Sequence, residues 1–128
     1  MQDFIDKIAT SAGIDTGLAE KAIGMILSFL KKEGPEGPVN EMLAAIPGAA
    51  DLASAQADAS GGGIMGSLMG MMGGGGVMGL GAQLMGAGLS MGQIQTLSKE
   101  LFAHGRETAG EDVMGQIVGS IPGLGQFV

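Results

Sequence analysis

The chain has 128 residues and a formal net charge of −7, with 26 Gly, 11 Met and no Cys, Trp or Tyr. Zero Cys excludes a disulfide framework, a thiolate metal site and a cysteine nucleophile. Six basic residues against 13 acidic ones, with no aromatic-rich stacking platform, argue against DNA or RNA as a partner.

Ile, Leu, Val and Phe make up about a quarter of the chain, above the range of disordered sequences, while Gly plus Pro falls just under the low-complexity range. The composition is that of a folded protein with an unusual insert. The first residues, Met1 to Ile8, carry early acids and no apolar run, so they predict no secretory leader and a cytoplasmic protein.

In chain order, Phe4, Ile5 and Ile8 give a short amphipathic helix that ends near Gly13. Asp15 is placed as an N-cap, its carboxylate able to accept from the free backbone N–H groups of the next first turn. Leu18, Ala22, Ile23, Ile26, Leu27 and Leu30 then recur at helical spacing up to Lys31 and Lys32. Cations suit the negative end of that helix dipole, and Gly34 follows as the expected C′ terminator. Met25 and Phe29 widen the apolar face, which makes this the most buried of the predicted helices. After Pro35 and Pro38, Val39, Met42, Leu43 and Ile46 fall at i, i+3, i+4 and i+7, and Pro47-Gly48 stops the third helix.

The insert comes next. Residues 61–92 hold 14 of the Gly and seven of the Met, and no charged residue lies between Asp58 and Lys99. Gly62, Gly66, Gly70 and Gly74 are spaced by four, with Ile64, Leu68 and Met72 between them. Such small-residue ladders let helices approach closely, chiefly in membranes. Magnitudes oppose a simple span. The run Gly73–Gly76 alone costs a helix about 4 kcal/mol relative to Ala. Broken there, residues 64–72 and 77–89 reach roughly 14 and 20 Å, short of the ~30 Å hydrocarbon core. No Trp or Tyr marks an interface, and no Lys or Arg lies near to orient a span. The segment therefore reads as a flexible or partly helical linker, with membrane association through 62–89 as the alternative and self-association through the ladder as a third.

Beyond it the plan of the first part recurs, displaced by 75 positions without a gap. Ala12-Gly13-Ile14 falls on Ala87-Gly88-Leu89, Asp15 on Ser90, Gly17 on Gly92 and Ile26-Leu27 on Leu101-Phe102. Lys31 falls on Arg106, Glu36 on Glu111, Met42-Leu43 on Ile117-Val118, and Ile46-Pro47-Gly48 on Ile121-Pro122-Gly123. The order of cap, apolar stripe, basic helix end and Ile-Pro-Gly stop is kept throughout. The predicted fold is all-α, with three-helix units at 1–48 and 76–128 joined by a Gly/Met-rich connector at 49–75. A unit of about 48 residues buries little surface alone, so the two are expected to pack in pseudo-twofold fashion into one domain.

The Ala-Gly-(Ile/Leu)-cap-helix plan, the stretch AEKAIGMILSFLKKEGP (19–35), the Gly/Met linker and the ending GEDVMGQIVGSIPGLGQFV (110–128) resemble a family of small bacterial all-helical proteins known only as a domain of unknown function. The resemblance covers most of the chain, and its motifs are stops and caps rather than chemistry. It implies an all-α bacterial domain and carries over no activity, ligand or catalytic residue.

His104 is the single His, four residues after Glu100 and three before Glu107, which puts the three near one helix face. One His with two carboxylates falls short of the two His that a facial triad uses. The repeat places His104 on Phe29, so a half-buried or surface helical His is expected instead of a ligand. No G-x-S-x-G elbow or G-x-x-x-x-G-K-[ST] loop occurs. The acid pairs Asp3/Asp6 and Glu111/Asp112 are expected in helix first turns, where the dipole favours them. No catalytic, cofactor-binding or metal residue is assigned, and no cofactor is expected. The expected function is a non-catalytic protein-interaction or scaffold domain, its partner another protein or a second copy of itself.

Overall fold

Apolar side chains at helical spacing form helices throughout residues 2–54, 76–121 and 123–126, the part of the chain that the computed structural model describes. In chain order these are α1 (Gln2–Ala12), α2 (Thr16–Glu33), α3 (Glu36–Ala45), α4 (Gly76–Gly86), α5 (Met91–Ala109) and α6 (Glu111–Ser120), closed by a 3-10 turn at Leu124–Gln126. Residues 49–54 are helical as well, and no strand occurs among the described residues. The fold is all-α.

The helix ends follow from a few backbone groups. At the end of α1, Gly13 adopts φ +70°; its N–H donates to the Thr10 carbonyl at 3.3 Å and that of Ile14 to Ala9 at 2.9 Å. At the end of α4, Gly88 adopts φ +117°; its N–H donates to Met85 at 3.1 Å and that of Leu89 to Leu84 at 3.2 Å. Both are Schellman closures, and the left-handed residue is Gly because a Cβ there would crowd the backbone.

Two expected helix ends are built differently. Gly34 closes α2 with φ −84°, not in the left-handed region of a C′ glycine. It is Gly because of close approach: a Cβ there would lie 2.6 Å from the Leu30 carbonyl oxygen and 2.8 Å from Val39 Cγ2. Asp15 occupies the N-cap of α2 in extended conformation, yet its carboxylate makes no capping hydrogen bond. Ser90 makes the bond that Asp15 lacks. Its Oγ accepts from the Gln93 N–H at 3.3 Å, while its own N–H donates to Gln93 Oε1 at 2.9 Å. That reciprocal box needs Glu or Gln three residues on, and Leu18 stands there after Asp15.

Packing crosses between the two ends of the chain. Helix α1 lies against α5 and α2, α4 against α2 and α5, and α3 against α6, α5 and α2. One continuous buried cluster results, with Ile8, Ile23, Leu27 and Met42 from the first part and Leu84, Leu97, Phe102 and Ile117 from the last. Ala49 and Ala53 belong to it too, so the stretch expected to open the connector begins as a helical turn set into the core. The rest of that connector, 55–75, with the Gly62–Gly74 ladder, lies outside the described residues. Between α5 and α6 the Met114 thioether lies against Gly105, where a Cβ would meet Sδ at 2.8 Å.

Glycines in this fold therefore differ in what they tolerate. Gly115→Ala places a methyl where nothing lies within 4 Å, and is expected to raise the unfolding free energy by up to about 1 kcal/mol through helix propensity. Gly34→Ala drives a Cβ into backbone, and is expected to lower it by roughly 1–3 kcal/mol. Urea denaturation of both variants checks the pair; equal stability of Gly34→Ala and the parent chain would contradict the packing described.

Candidate functional site

Closure of α1 onto α5 brings Phe4 against His104. The rings are stacked, with centroids 4.1 Å apart and an interplanar angle of 22°. Both side chains are half-buried, at the rim of the core. The His104 carbonyl, in turn, accepts a hydrogen bond from the Thr108 hydroxyl at 2.9 Å. With Asp3 and Lys7 on α1, and Ile46 and Pro47 at the end of α3, the ring pair lines an open surface depression of about 350 Å³. A small-molecule pocket of that size normally encloses most of its ligand, with converging polar groups. Here one imidazole lies flat on a phenyl ring, and the two charged side chains are exposed.

The residues weighed from sequence scatter. Glu100 is half-buried and Glu107 exposed on α5. Among the described residues no group of three His, Cys, Asp or Glu side chains converges to hold a metal ion. Asp3 lies in the first turn of α1 as expected, but Asp6 does not, because the helix already begins at Gln2. Glu111 and Asp112 occupy the first turn of α6, both exposed. The Phe4–His104 stack was not foreseen; both residues sit on apolar stripes, but nothing local to either pairs them across 100 positions.

A second surface feature lies at the corner between α4 and α5. Met85 and Met91 are each 51% exposed, the large apolar side chains most open to solvent among the described residues. They flank the Gly88 turn on a stretch without a single charge, whereas the outer face of α1 carries Asp3, Asp6 and Lys7. Of the segment 62–89 considered for membrane contact, Leu80, Leu84 and Leu89 are buried in the protein core, and residues 62–75 lie outside the described part. No helix among the described residues is long and apolar enough to cross a membrane.

No family model matches the chain, and neither does any curated protein or solved structure. The family resemblance thus rests on the quoted residues alone.

The ring pair should read as packing. His104→Ala removes a stacked partner and is expected to lower the unfolding free energy by about 1 kcal/mol, whereas His104→Phe keeps a flat ring and stays within about 0.5 kcal/mol of the parent. Denaturation curves distinguish the two, and an alanine variant as stable as the parent would contradict a structural role for the stack.

Proposed function

We infer that the chain is a non-catalytic, cytoplasmic protein-interaction or scaffold domain that associates with another protein or with a second copy of itself. The observation that carries this reading is the uncharged corner of α4 and α5 with half-exposed Met85 and Met91. Methionine is an adaptable apolar side chain, suited to surfaces that repack against a partner. The sequence also has a single His and no Cys, and the reading includes no cofactor.

The domain is further read as two copies of one unit, 1–48 and 76–128, paired about a pseudo-twofold axis. Several features support this. Helix starts recur 75 positions apart at Thr16 and Met91 and at Glu36 and Glu111. Positive-φ glycines recur at Gly13 and Gly88 and at Gly48 and Gly123. Helix α1 packs on α5 as α4 packs on α2, and α3 meets its own counterpart α6. One contact departs from the symmetry: α3 also packs on α5, with no comparable contact of α6 on α2. Membrane insertion of 62–89 is the competing reading, and burial of Leu80, Leu84 and Leu89 argues against it for the part after residue 75.

Sedimentation velocity over a concentration series tests the interaction reading. The expected result is a species larger than the monomer, or a partner that co-purifies, and its loss in a Met85→Lys, Met91→Lys variant that keeps its helical content. A strict monomer with nothing bound would contradict it.

A further inference from the structure

The geometry points to α4 as a helix that opens locally, hinged at Gly88, while the rest of the core stays folded. Helix α4 carries Gly76, Gly79, Gly81 and Gly86 among its 11 residues. Helix α1, at the matching place in the sequence repeat, carries none. Each interior Gly lowers the helix-forming equilibrium about fivefold relative to Ala, so Gly79 and Gly81 together lower it about 25-fold.

At Gly81 and Gly86 sterics do not call for glycine. A Cβ on Gly81 or Gly86 would meet no atom within 4 Å, and neither residue has a positive φ. Among the described side chains, α4 also buries fewer apolar groups than α1. Helix α1 buries Ile5, Ile8 and Ala9, with Phe4 packed partly beside them. Of the described side chains of α4, Leu80 and Leu84 are buried, and Met85 points largely to solvent. Beneath α4 lies a void of about 10 Å³, where Leu80, Gly81 and Leu84 face Ile26, Ile94 and Ser98. A gap of that size leaves the atoms around it short of packing partners.

Helix α4 is well held where it joins the Gly88 corner. At its C-terminal end the Schellman closure and buried Leu89 tie it to the core. Opening therefore releases the helix about Gly88 and uncovers the apolar seam of Ile26 and Ile94 between α2 and α5. Low-stability segments of this kind are marked by few buried apolar contacts and weak propensity, and they open below the global unfolding free energy.

Residue-resolved amide hydrogen exchange of the full chain, followed by NMR across a urea series in the native range, tests it. Amides of residues 80–86 are expected to exchange at least tenfold faster, after correction for intrinsic rates, than the slowest amides of α1 and α2, and with a shallower urea dependence. Gly81→Ala should slow exchange in α4 about fivefold. If α4 amides follow the same isotherm as α1 and α2, or if Gly81→Ala leaves them unchanged, the local opening is overturned.

Discussion

The packing of α1 onto α5 sets the terms for the rest of the structure. Ile5, Ile8 and Ala9 form the buried stripe of an 11-residue helix that is marginal by itself, and they are covered jointly by the neighbouring α2 and by α5 from the far end of the chain. Once α5 is in place its own Leu97, Leu101 and Phe102 are shared with α2, α3 and α6, so no helix of the first part completes its burial without the last. A separate three-helix unit would leave such faces to water, which a chain of about 50 residues can scarcely tolerate. The constraint is geometric before it is energetic: the helices are too short and too apolar on one side to stand except together.

Glycine, the most abundant residue in the chain, performs two opposite tasks around that core. At Gly13, Gly88 and Gly110 it supplies positive-φ backbone directly after a helix, and at Gly48 and Gly123 it turns the chain just beyond the Ile46 and Ile121 caps, which makes the short connections possible. At Gly34 and Gly105 it lets chains approach, against the Leu30 carbonyl in one case and the Met114 thioether in the other. At Gly81 and Gly86 in α4 it does neither, and there it weakens the helix that contains it. The same residue thus fixes the fold at its corners and loosens it at one edge.

Much of this was legible in the sequence, because helix periodicity and stop signals are local. The stripe Val39, Met42, Leu43, Ile46 is buried as its spacing predicts, and α1 ends at Ala12, directly before the expected Gly13 stop. What escaped was non-local or a matter of close geometry. Gly34 looked like a C′ glycine, whereas its Cβ is excluded by the approach of Val39, which no local pattern shows. Asp15 had the right identity for a cap, but a capping box also depends on residue i+3, and only Ser90 has a Gln there. Residues 49–54 read as connector because they fall outside the repeat, yet they are helical and set Ala49 and Ala53 into the core. The Phe4–His104 pair needed the α1–α5 contact before either residue had a neighbour.

The two halves, similar in plan, differ in outer character. The first carries Asp3, Asp6 and Lys7 on α1, and the corresponding α4 carries Gly, Ala and an exposed Met. That difference turns a self-contained core into one with a single neutral, weakly held side, where we place both the interaction surface and the opening helix. Both depend on the core being one cooperative unit. Differential scanning calorimetry of the full chain tests that claim most directly. The account predicts a single transition whose calorimetric and van't Hoff enthalpies agree. Two resolved transitions, or a calorimetric enthalpy about twice the van't Hoff value, would show that the halves unfold independently and would contradict it.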